Sequence, residues 1–210
     1  DSLLSEIILT NFDTSQVETM EYMFADLNYL TSLDLSNFRT PKLKKMYKMF
    51  SNSKNLQKIK FNNFDTSQVT DMSYLFDQCQ QLVEVDVSSF NTSNVEDMSF
   101  MFQDCSNLPF IDVSKFDTSK VTVMSGMFRR CNMVTSLDVS KFNTKNVKSF
   151  TFMFSYCRFL KELDVSHFDS TSMNDITAMF EGCSLLTSLD VSNFETSNVM
   201  SFSYLFSGCS

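Results

Sequence analysis

The chain has 210 residues, is 43% hydrophobic and carries a net charge of −8, with only three Gly, two Pro and one His. That is enough apolar material for one substantial core, and too little Gly and Pro for phosphate-cradling loops or flexible linkers. The acidic balance argues against a general nucleic-acid binder, since affinity for phosphate backbones rests on Lys and Arg, and no apolar run approaches the ~18–20 residues of a membrane-spanning helix.

The first residues, "DSLLSEIIL", lack a basic n-region and a cleavage site. No linker interrupts the chain, so residues 1–210 read as a single repeat domain, a segment of a longer protein. The heptapeptide "NFDTSQV" appears at 11–17 and again at 63–69. One Phe recurs every 26 residues, at Phe12, Phe38, Phe64, Phe90, Phe116, Phe142, Phe168 and Phe194, and a second keeps the same step from Phe24 to Phe206. A period of this length marks a solenoid, in which each coil buries its apolar face only against its neighbours.

Within one unit, residues 108–133, Leu108, Ile111 and Val113 alternate with polar Asp112 and Ser114, the pattern of a half-buried strand. "FDTS" comes next as a corner with Phe inward. Val121, Met124, Met127, Phe128 and Cys131 then fall at spacings of three and four, which predict a short helix or 3-10 turn. The Thr-Ser pair lies where an N-cap belongs, and Ser93 to Glu96 has the form of a capping box. The expected fold class is an α/β solenoid of eight 26-residue coils, with a parallel sheet on one side and short helices or 3-10 turns on the other. At strand spacing its length is about 40 Å.

Other columns are read by what they can do chemically. Cys79, Cys105, Cys131, Cys157, Cys183 and Cys209 share a slot with Leu27 and Ser53. Their side chains point the same way, which favours buried thiols over disulfides and disfavours a convergent zinc site. The strand's outward face carries Asp34, Asp86, Asp112, Asp138, Asp164 and Asp190. Serine hydroxyls two residues on are the simpler compensation for this row of charge, and a row of Ca²⁺ sites is the sharper reading. The unit lacks Gly-Asp-rich calcium loops, and neither a metal nor a cofactor is expected. His167 occupies a slot filled elsewhere by Asn or Lys, and no nucleophile–base constellation forms around it, so the chain does not read as an enzyme.

One stretch breaks the acidic background. Arg39, Lys42, Lys44, Lys45, Lys48, Lys54, Lys58 and Lys60 succeed one another with no Asp or Glu among them. They are the candidate binding residues, against the alternative of a solvated charged face.

The pattern L-x-x-L-D-V-S-x-F-D-T-S-x-V-x-x-M-x-x-M-F-x-x-C, nearly intact at 82–105 and 108–131, resembles the bacterial surface protein 26-residue repeat of the BspA-like leucine-rich-repeat group, over the whole chain. The resemblance implies a leucine-rich-repeat-like solenoid, a cell-surface or extracellular location, and adhesion to a protein or glycan ligand without catalysis. The second coil departs most, with "RTPKLKKMYKMFSNS" at 39–53. The alternative is structural: coils without polar caps stack head to tail into a filament. Neither reading involves nucleic acid or membrane insertion by this segment.

Overall fold

The computed structural model describes residues 3–209. It is a repeat fold in which every unit lies parallel to the next in 26-residue register. Three short strands, β1 (Ser32–Asp34), β2 (Lys58–Lys60) and β3 (Glu84–Val85), form a parallel sheet in the order β1-β2-β3. Leu33 stands opposite Ile59, and Ile59 opposite Val85.

The predicted sheet along the whole chain is not formed. Beyond β3 only the bridge between Ser136 and Glu162 continues it among the described residues. Pro109 supplies a physical reason. At this slot the neighbouring units donate a backbone N–H to the unit before, from Gln57 to the Thr31 carbonyl at 2.8 Å, Val83 to Gln57 at 3.1 Å and Lys161 to Thr135 at 3.0 Å. Proline has no N–H to give, and the ladder lapses there.

The opposite side corrects the prediction further, because no helix forms among the described residues. The segment predicted as helical is a chain of turns that forms a second ladder. Parallel bridges join Thr19, Lys45, Asp71, Asp97, Val123, Ser149 and Asp175 in succession. In one unit the N–H groups of Met98, Phe100, Phe102 and Asp104 reach carbonyls 25 residues ahead, at 2.8–3.1 Å, while those of Met101, Gln103 and Cys105 close turns onto carbonyls three residues back. A helix would keep all these donors to itself. Two positions per unit also hold a positive φ, such as Phe100 (56°) and Asp104 (55°), a conformation that stops helix propagation and is costly for side chains with a Cβ. All three glycines, Gly126, Gly182 and Gly208, sit in these columns. At Gly126 a Cβ would lie 2.3 Å from the Phe100 ring, so the aromatic of one unit covers the bare backbone of the next.

The spacing of three and four nevertheless located the core. Val121, Met124, Met127, Phe128 and Cys131 are all fully buried, within one apolar cluster running from Leu9 to Cys183. Its spine is the second Phe column: rings from Phe24 to Phe206 stack at centroid distances of 5.4–6.0 Å.

The capping box is also replaced. Ser93 donates its N–H to Asn91 Oδ1 at 3.1 Å, and Asp13, Asp65 and Asp117 take the same bond at 2.9 Å from Ser15, Ser67 and Ser119. The corner is thus a side-chain-closed turn. Its threonine looks outward to the next unit: Thr14 Oγ1 donates to the Arg39 carbonyl at 2.8 Å and accepts the Arg39 N–H at 2.9 Å. Thr40, Thr66 and Thr118 repeat both bonds onto Asp65, Asn91 and Asn143.

Candidate binding surfaces

The repeated polar columns are occupied in holding the fold. Each aspartate of the strand-face row accepts the N–H of the serine two residues on, at 2.9–3.0 Å, from Asp34 with Ser36 to Asp190 with Ser192. Those serine bonds, hydroxyl first and backbone second, hold Asp34, Asp86, Asp112, Asp138, Asp164 and Asp190 below the ordinary carboxylate range. Among the described residues no three His, Cys, Asp or Glu side chains gather into a metal-holding group. His167 Nε2 lies 3.0 Å from the Val139 carbonyl and the ring packs edge-on to Phe168.

The six cysteines are unpaired. Each thiol donates to a phenylalanine carbonyl 29 residues back, from Cys79 to Phe50 at 3.2 Å through Cys209 to Phe180 at 3.1 Å. Ser53 fills the slot in the second unit and makes the same bond to Phe24 at 2.8 Å. Burial pushes the Cys183 thiol up to about 12 and raises the others as well.

The basic island is not gathered into one patch. Lys58 and Lys60 lie on the sheet face, where they pair with Glu84 at 2.5 Å and Asp34 at 3.4 Å. Lys44 pairs with Glu18 at 2.9 Å, and Lys42 donates to Gln16. Arg39 is clipped through its backbone by Thr14, Lys45 sits in the second ladder, and Lys54 is exposed at the turn side. Lys48 stands over three tyrosine rings, 4.8 Å from Tyr74, 5.3 Å from Tyr47 and 5.9 Å from Tyr22. Half of this charge is met by acids or rings, Lys44, Lys58 and Lys60 by carboxylates of adjoining units and Lys48 by the three tyrosines. Exposed pairs of this kind are worth about 0–1 kcal/mol each.

A second constellation escaped the sequence reading. Three of the four arginines lie over aromatic rings of the turn side, Arg130 and Arg158 sharing Tyr156 while Arg129 lies over Phe152. The Arg129 guanidinium lies 4.7 Å from the Phe152 centroid, and those of Arg130 and Arg158 lie 5.7 and 5.6 Å from Tyr156. Asp104, Arg130, Asn132, Tyr156 and Arg158 line a hollow of about 450 Å³. Arg130 reaches Asp104 at 3.7 Å, whereas Arg158 forms no ion pair among the described residues. The available signal was positional: these slots hold Gln78 or Ser106 in other units.

Fold and surface together define a tandem-repeat protein with parallel units, its repeated side chains engaged in unit-to-unit packing. The family model described as "Mycoplasma protein of unknown function, DUF285" matches three overlapping stretches, 2–81, 56–163 and 124–210. The chain belongs to that family. A search of curated proteins finds no match. No helix among the described residues is long and apolar enough to cross a membrane.

Proposed function

We propose that the chain is a non-catalytic binding module of a cell-surface protein: a solenoid of eight coils, of the BspA-like leucine-rich-repeat kind, that adheres to a protein or glycan ligand. One observation carries the reading. Buried slots vary little from unit to unit, and the departures concentrate on exposed ones, where Asn55, Gln81 and Asn107 give way to Met133, Phe159 and Leu185. A scaffold with a repetitive interior and an individual exterior suits recognition. Beads coated with the chain should attach to cultured epithelial cells or their deposited matrix, and antibody should label unpermeabilised cells that make the protein. Attachment no greater than that of beads carrying an unrelated acidic protein would reject the reading.

End-to-end assembly into filaments is the second reading, favoured by the apolar hollow of about 190 Å³ among Phe180, Phe194, Phe202, Leu205 and Phe206. Fibres in electron micrographs of the purified chain are its expected signature. Uniform short particles would count against it.

A further inference from the structure

Three neighbouring units break their own pattern at one place. The slot that is Asn or Gln in the three units before becomes Met133, Phe159 and Leu185, which are 47%, 48% and 41% exposed. Backbone bonds and bridges keep these units in register, including Lys161 N–H to the Thr135 carbonyl at 3.0 Å and the Ser136–Glu162 bridge. Ser184 Oγ also donates to the Arg158 carbonyl at 3.3 Å. The three side chains therefore form a row at about the 4.8 Å strand spacing. Scattered exposed apolar residues need no explanation, but a contiguous row flanked by charge marks a contact surface.

The flank is the arginine constellation. Arg158 precedes Phe159 directly, and the Arg130 hollow, with Asn132 and Tyr156, adjoins Met133. A guanidinium laid over an aromatic ring keeps its in-plane N–H donors for a second partner and is held in one orientation before that partner arrives. Arg158 has no carboxylate of its own chain to bind among the described residues. Arginine, tyrosine, methionine and phenylalanine around a central apolar contact are also the composition of protein–protein hot spots.

We propose that this ridge binds a protein segment presenting carboxylates beside an aromatic or aliphatic side chain, with the acids on Arg130 and Arg158 and the apolar group on the Met133–Phe159–Leu185 row. The assignment rests on the binding-module reading and gives the partner a chemistry. A polysaccharide would offer the row only the C–H face of a sugar ring, which suits Phe159 but gives Met133 and Leu185 no aliphatic or aromatic side chain to pack against. A peptide supplies both groups.

The test is a phage-displayed random dodecapeptide library panned on the full chain, with selected peptides synthesised and measured by fluorescence anisotropy. The comparison protein carries Phe159→Asn and Arg158→Ser. Both residues already occupy those slots, as Asn107 and as Ser106 and Ser184, and an unchanged melting temperature verifies the fold. Selected peptides should be net acidic with at least one large apolar residue. They should bind the double variant at least tenfold more weakly and weaken as salt is raised. Peptides that are neutral or basic, or that bind the variant within twofold, overturn the proposal. So does a failure to select peptides while hyaluronate binds the ridge. In the bead assay, unchanged attachment by the variant removes the ridge and leaves the module. Loss of attachment by the unaltered chain, with peptides still selected, removes the adhesive module and leaves the ridge.

Discussion

Thr118 Oγ1 donates to the Asn143 carbonyl at 3.0 Å and accepts the Asn143 N–H at 2.8 Å, so one hydroxyl satisfies both backbone groups of a residue one unit ahead. Thr118 is buried. Thr118→Val keeps the shape and removes both bonds, leaving a donor and an acceptor stranded. We expect a loss of about 1–3 kcal/mol, measured by urea unfolding. Thr118→Ser should recover most of it, as Ser170 accepts the Glu195 N–H at 2.6 Å in the same slot. A valine variant as stable as the parent would mean that water replaces the clip.

Phe128 stacks between Phe102 at 6.0 Å and Phe154 at 5.8 Å and is fully buried. Phe128→Ala should cost about 3–5 kcal/mol through lost transfer energy and the cavity left behind. The same change at Phe206, which is 49% exposed, should cost far less. Equal losses at the two positions would contradict the stacked-spine account.

Cys79, Cys105, Cys131, Cys157 and Cys183 are buried and Cys209 is partly exposed, and thiolates rather than thiols react. Iodoacetamide at pH 8 should modify Cys209 first and the other five only when denaturant opens the fold, read by intact mass. Cys79→Ser should be tolerated, because Ser53 already makes the equivalent bond. Rapid native alkylation of all six thiols would refute the packing.

Two kinds of carboxylate pull stability in opposite directions with pH. Asp112, Asp138 and Asp164 are held below their ordinary value by serine hydroxyl and backbone bonds. Their contribution is present above the unfolded carboxylate pKa of about 3.9 and is lost as pH falls through the depressed folded values. Asp77 is raised, by burial above all, although Gln103 and Ser51 donate to it. Its stabilising contribution belongs to low pH and declines as pH rises above about 3.9 through the raised folded value. Melting temperature should therefore fall below pH 4 less steeply in Ser114→Ala than in the parent, and Asp77→Asn should be neutral or stabilising at pH 7. Destabilisation by Asp77→Asn at pH 7 would reverse the assigned sign.

The register was legible because Phe12, Phe38 and their successors step by 26 without insertion, and parallel pairing of such units keeps that step. Burial was legible too, since Met124, Met127 and Phe128 share a face whether that face belongs to a helix or to chained turns. The element type was not. Spacings of three and four do not reveal that alternate N–H groups leave for the next unit, and Tyr22, Tyr74 and Phe100 gave no sign of positive φ at positions where Gly126 did. The threonine clips were hidden because their partners are backbone atoms 25 residues away. The arginine ridge was overlooked because Arg39–Lys60 is dense along the chain, whereas Arg130 and Arg158 meet only across a unit boundary.

The clips, the stacked rings and the thiol bonds all join a slot to its own neighbourhood one unit away, so the seams of the molecule are built from the same joints even where the sheet ladder lapses. Unequal recombination between stretches as alike as 11–17 and 63–69 can therefore insert or delete whole units and still leave a chain that packs. A frame of 25 or 27 residues would misalign every column at once. Length is free to drift in steps of one unit under selection, while the exposed slots diversify independently of the interior that carries them.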